Sequence, residues 1–113
     1  MKEGNIVLTP IPQSNQEIKN RPALILRIMP RYQVFLVCGI SSQLKQYVRD
    51  FDEIILGDDF ESSGLVNISV IRLGFLTVIP SRQIIGSIGS ISIIRHRRLL
   101  QNLSQYLSLE NNH

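Results

Sequence analysis

Apolar and polar residues along the chain fall into short blocks, and most of those blocks read as strands. Ile6-Val7-Leu8-Thr9 is a β-branched run opened by Gly4-Asn5 and stopped by Pro10. Residues 10–20 are polar with two prolines, which predicts a long, mobile connection. Residues 22–28 and 33–40 are apolar on both faces, the pattern of central strands covered from either side, and 29–32 joins them as a hairpin turn. A weaker strand signal lies at 53–55, and further strands are expected over 65–72 and 75–79, the last stopped by Pro80. From 91 to 109 the spacing changes. Ile93, Ile94, Leu99, Leu100, Leu103, Tyr106 and Leu107 recur at helical intervals, with Ser92 or Ser90 in place to cap the start. The sum is a mainly β protein: five to seven short strands, bent into a half-barrel, with one C-terminal α-helix packed against it.

Composition narrows this picture. With 113 residues there is room for one core, so residues 1–113 form a single domain. Seventeen isoleucines and no tryptophan point to a β-branched core. One cysteine, Cys38, within an apolar run excludes an internal disulfide framework and reads as a small core residue. Only two histidines are present, which argues against a structural zinc site, and no metal or cofactor is expected. No run is long and apolar enough to span a membrane, and the start lacks a signal-peptide pattern, so a cytoplasmic protein is expected.

Charge is unevenly spread. Residues 1–49 carry seven basic against two acidic side chains, residues 50–61 six acids and no base, and residues 62–113 five arginines and one acid. Such segregation suits a face that attracts polyanions, or else a solvated acidic loop between two ordinary halves. The acidic residues match no EF-hand pattern and read as a solvated loop. Arg95, Arg97 and Arg98 stand too early in the helix to complement its C-terminal dipole, so they suit solvent or a partner better.

The hairpin places one polar constellation. With Ile28 opposite Gln33, facing residue numbers sum to 61, and Arg21 lies beside Ile40 with Ser41 and Ser42 just after it. A cation and two hydroxyls then meet at the open end of the central strands, where the 10–20 connection also arrives. The alternative is that Arg21 pairs with a nearby acid and Ser41 caps a turn. Gly86-Ser87-Ile88-Gly89 lacks the lysine and the strand–turn–helix setting of a phosphate loop.

At these residues the chain resembles the MazF/PemK family of type II toxins. The resemblance runs in order through Gly4-Asn5-Ile6-Val7-Leu8-Thr9, Arg21-Pro22-Ala23-Leu24-Ile25-Leu26, Ile40-Ser41-Ser42-Gln43, Ser69-Val70-Ile71-Arg72 and Ile88-Gly89-Ser90-Ile91-Ser92. It implies an SH3-like barrel with a C-terminal helix, a homodimer, a cognate antitoxin, and metal-independent cleavage of single-stranded RNA. It also implies that Arg21 acts as general acid or phosphate stabiliser and that Ser41, where the family commonly has threonine, holds the transition state. Some relatives carry an aspartate two residues after the arginine matched by Arg72, where this chain has Gly74; Glu17 is the candidate to supply a carboxylate in its place, with Ser42 in support. Arg72, Arg27, Arg31, Gln43 and Phe75 are the candidates for holding RNA, Tyr47 being a second aromatic. The same fold also serves CcdB-type toxins that bind gyrase, so a non-catalytic module acting on gyrase or RNA is the alternative function.

Overall fold

A computed structural model describes residues 1–12, 15–31 and 33–109. Six strands, β1 (Asn5–Pro12), β2 (Ile18–Ile28), β3 (Val34–Ser41), β4 (Glu53–Ile54), β5 (Val70–Pro80) and β6 (Gly86–Ser90), form one antiparallel sheet in the order β4-β5-β3-β2-β1-β6. The sheet curls into the expected half-barrel. A short helix α1 (Gly57–Ser63) and the C-terminal helix α2 (Ile93–Leu107) complete it, with 3-10 turns at Leu44–Gln46 and Ser81–Gln83.

Both faces of the central strands are buried, as their continuous apolar runs require. On one face Ile6, Leu24, Leu26, Cys38, Ile40, Ile71 and Leu73 pack with Leu99 and Leu103 of α2. On the other, Val7, Ala23, Ile25, Phe35, Val37, Ile79 and Ile84 form a second cluster. Neighbours such as Leu24 and Ile25 go to opposite clusters because successive strand side chains point to opposite faces. Each fully buried leucine or isoleucine stabilises the fold by roughly 1.5–3 kcal/mol. Burial, and then the charge of Asp52, pushes the Cys38 thiol well up, so it stays protonated within the core.

Three sequence expectations change. Residues 10–20 are not one long loop: the β1–β2 ladder continues through Pro10↔Asn20, Ile11↔Lys19 and Pro12↔Ile18. Proline lacks only the N–H, and β1 accommodates both prolines near its outer end. The β2–β3 register also differs, with Ile28 opposite Phe35 and Ala23 opposite Gly39. The connection from Ile28 to its partner is two residues longer than the sequence suggested, since Ile28 faces Phe35 rather than Gln33, Met29 N–H donates to Val34 O at 2.9 Å, and Arg31 and Gln33 take left-handed conformations. A shift between Ile25 and Arg27 then takes back one of those two residues, so that from Ile25 to Ala23 the register is one residue from the expected one; Tyr32 of the expected turn lies outside the described residues. Finally, the strands expected at 65–72 and 75–79 are one strand, β5, which begins only at Val70.

The acidic stretch is not a solvated loop either. Asp58 and Asp59 stand in the first turn of α1, where carboxylates complement the helix dipole, and Gly64, with φ of 75°, ends the helix. Asp59 accepts from the Ser92 amide and hydroxyl and from Arg95. Arg95 Nη1 donates to Glu53 Oε1 at 2.8 Å, and Arg98 grips the same carboxylate through Nε and Nη2 at 2.8 and 2.7 Å. Ser92 caps α2 by accepting the Arg95 N–H. Two of the three arginines assigned to solvent or a partner, Arg95 and Arg98, thus tie α2 to β4 and α1, while Arg97 is exposed as expected. Arg95→Met should lower the unfolding free energy by about 3 kcal/mol, because Asp59 and Glu53 are left partly uncompensated in a largely buried setting. Urea unfolding at pH 7 measures it, with exposed Arg97→Met expected to change stability by under about 0.5 kcal/mol.

Candidate active site

A cleft opens among β2, β3 and β5 beside the segment that follows α1. It is about 760 Å³ in volume. Arg21 and Pro22 come from β2, Gly39, Ile40 and Ser41 from β3, and Arg72 and Phe75 from β5. Ser42, Gln43 and Gln46 form one wall, and Gly64, Leu65, Val66, Asn67 and Ser69 another, with Leu8, Ile11 and Ile88 closing the remainder. Among the described residues, none that lines the cleft is acidic.

Arg21 and Ser41 sit where two core strands run out. The register of Ala23 with Gly39, carried two residues outward, sets Arg21 level with Ser41. Ser41 Oγ accepts the Gln43 N–H at 3.1 Å, which fixes the hydroxyl and leaves its own proton to be donated elsewhere. The same bond folds the chain back so that Ser42 and Gln43 line the cleft.

Arg72 and Phe75 reach the cleft through a break in the β3–β5 ladder. Gly39 pairs with Arg72 and the next residue, Cys38, pairs with Leu76, so residues 73–75 bulge out of the ladder. Strict alternation would aim position 74 the same way as Arg72. The bulge turns it aside: a Cβ on Gly74 would meet Phe51 Cε2 at 3.3 Å, and Gly74 borders a different groove. Phe75 enters the cleft instead, over Gly39, where a Cβ would stand 2.9 Å from Phe75 Cδ1. The Arg72 guanidinium lies 5.2 Å from the centre of that ring.

Gly64 shapes the opposite wall. With its φ of 75° and a Cβ that would overlap the backbone oxygen of Ile88, only glycine fits there. Ser69, almost fully buried, donates its hydroxyl to Asn67 O at 2.8 Å and shapes the adjoining segment.

A family model described as PemK-like, MazF-like toxin of type II toxin–antitoxin systems matches residues 2–107. The chain belongs to this toxin family. Solved structures show the same fold. A chain in the crystal structure of MazE–MazF (Form II) from Deinococcus radiodurans superposes with a TM-score of 0.71 at 18% identity, covering 96% of both chains. The Mycobacterium tuberculosis toxin MazF-mt6 gives 0.62 at 20% identity, covering 88% of this chain and 92% of its own. A search of curated protein sequences finds no match.

Within this PemK/MazF-like fold, the cleft brings together Arg21, Ser41, Ser42, Gln43, Arg72 and Phe75. It does not include Glu17, Arg27, Arg31 or Tyr47. Arg27 stands six residues along β2 from Arg21, roughly 20 Å away at strand spacing, and pairs with Glu3 at 3.0 Å. Burial works to raise the Glu3 carboxyl, but the Ile28 N–H and Arg27 outweigh it and hold it below its ordinary value. Arg31 occupies the hairpin turn at the same remote end, and exposed Glu17 lies in the β1–β2 connection. Sequence reasoning missed Gln46, Asn67 and Ser69. Gln46 and Asn67 lie in segments that carry no motif, and Ser69 opens the matched stretch Ser69-Val70-Ile71-Arg72 without having been singled out; only the fold brings them to the cleft.

The close approach of Gly39 and Phe75 has a measurable signature. Gly39→Ala should cost about 1–3 kcal/mol through overpacking. Combining it with Phe75→Leu should recover about 1 kcal/mol relative to the sum of the single changes, read from a double-mutant cycle of denaturant unfolding.

Proposed function

We propose that this toxin is an endoribonuclease that cuts single-stranded RNA by attack of the 2′-hydroxyl on the adjacent phosphorus. One observation carries the reading: two guanidinium groups and a fixed serine hydroxyl share a cleft whose described lining has no carboxylate. Such a lining favours a polyanion over an acidic or neutral ligand. In the reaction the 2′-hydroxyl gives its proton to solvent water as its oxygen bonds to phosphorus, the bond to the 5′-oxygen breaks, and that oxygen takes up a proton in turn. A 2′,3′-cyclic phosphate and a 5′-hydroxyl end result. Negative charge grows on the non-bridging oxygens, and the planar fork of Arg21 suits two of them. The Ser41 proton suits a third contact, while Phe75 and Arg72 offer a ring face and a charge to the flanking nucleotide. No step requires a metal, so EDTA should leave the rate unchanged.

We further propose a homodimer, a cognate antitoxin as partner and a cytoplasmic site of action, where the RNA substrate is found. Leu76, Tyr106 and Leu107 border one apolar groove and are exposed, as is Val78 on the same strand. An isologous dimer would cover surface of this kind. A second reading, a binding module that holds RNA or gyrase without cutting, draws support from the absence of histidine and carboxylate among the described lining residues to accept the 2′-proton.

Labelled single-stranded RNA incubated with the protein in EDTA separates the readings, since a nuclease yields cyclic-phosphate ends and a binding module leaves the RNA intact. Arg21→Ala should remain folded and cut roughly 100–1,000-fold more slowly, the loss typical of removing one donor to a developing oxyanion. Light scattering at micromolar concentration should give twice the 12.9 kDa chain mass.

A further inference from the structure

Asp52 is 5% exposed, does not line the cleft and takes no part in the chemistry proposed above. Each of its oxygens accepts one backbone N–H: Oδ1 from Leu73 and Oδ2 from Val48, both at 2.9 Å. Leu73 sits in the bulge of β5, where it has no paired residue on β3, and β4 pairs with β5 only at Val70 and Ile71. The carboxylate therefore stands where a neighbouring strand's carbonyl would otherwise serve. Asp52 N–H in turn donates to Val48 O at 2.9 Å, closing residues 48–52 around the side chain.

These two bonds join separate parts of the cleft. Leu73 lies between Arg72 and Phe75, whereas Val48 follows by two residues the turn Leu44–Gln46, beside which Gln43 and Gln46 line the other wall. We propose that Asp52 is a positioning residue that clamps these two walls at a fixed separation, so that Arg72, Phe75 and Gln43 grip the RNA between them. This rests on the RNA-cleaving reading. An ionised carboxylate suits the task because both its oxygens accept; an amide would turn an NH2 group towards one of the two N–H donors.

Asp52→Asn tests it. Arg21 and Ser41 stand on β2 and β3, outside the clamp, so kcat should stay within about twofold of wild type. The KM for a short single-stranded RNA should rise at least tenfold, as expected when groups that hold substrate lose their spacing. A merely structural role would do the opposite, lowering the folded fraction and apparent kcat at unchanged KM. Ile79→Val, in the second core cluster and away from the cleft, is the control, with KM expected unchanged. Hydrogen exchange should be faster in D52N at both 43–48 and 72–75. A wild-type KM in folded D52N, or unaltered exchange at either wall, overturns the clamp. Should D52N not fold, Asp52→Glu keeps both acceptors one methylene further out. A KM at least threefold higher supports the proposal, and a wild-type KM overturns it. If wild-type protein neither cuts nor binds RNA, the functional reading fails by itself, and the exchange measurement still decides the clamp.

Discussion

The break in the β3–β5 ladder governs the architecture of the cleft. One step on β3, from Gly39 to Cys38, faces four steps on β5, from Arg72 to Leu76. Without the inserted residues, β5 would present Arg72 and position 74 on one side, and Phe75 would fall on the other. The insertion turns the strand over, so a charge and a ring three residues apart meet in one place. Such an arrangement is stable only with room on the opposing strand. Gly39 supplies that room by having no side chain, since any Cβ there would overlap the Phe75 ring. The glycine and the bulge are thus two halves of one device, and neither is interpretable without the other.

Electrostatic sorting completes that device. A short stretch of six acids looks like a solvated linker when counted along the chain. In the folded protein three of its six carboxylates are committed: Glu53 and Asp59 to Arg95 and Arg98, and Asp52 to two backbone amides, while Asp50, Asp58 and Glu61 are exposed. Acidic charge is therefore held within the scaffold joining β4, α1 and α2, while the described lining of the cleft contains arginines and no carboxylate. Net charge is a poor guide to such a site, because the polarity of the cleft depends on which partners the fold assigns to each ion.

Much of this was legible in the sequence, and the rest failed for identifiable reasons. The doubly apolar runs at 22–28 and 33–40 announced two central strands because burial on both faces erases alternation. Ser92 marked the start of α2 through capping chemistry that is local. Arg21 and Ser41 were brought together by hairpin geometry even though the assumed register was off, since one or two residues of slip still leave both at the same strand end. What could not be read was non-local. Pro10 and Pro12 resemble loop punctuation until β2 is seen to extend alongside them. The seven residues of α1 offer too short a period to recognise. Gly74 and Phe75 look like ordinary alternating positions, because a bulge is set by the opposing strand. Arg27 and Arg31 were grouped with the RNA-facing residues by charge alone, and strand length carried them to the far end.

The cleft is built to two standards of rigidity. Arg21 and Ser41 stand at the end of the β2–β3 pairing, beside residues 23–26 and 37–40, which are almost entirely removed from solvent. Groups anchored this way hold position at little cost, as stabilising a transition state requires. Gln43, Gln46 and Asn67 instead stand on connections, which in any fold are the segments that accept substitution and adjust to a ligand. Chemistry placed on the strands and recognition placed on the loops can change independently. On the RNA-cleaving proposal, a chain with this scaffold keeps one reaction while its loops alter the sequence it reads, and the Asp52 carboxylate, bonded to Leu73 of β5 and to Val48, refers those loops back to the sheet.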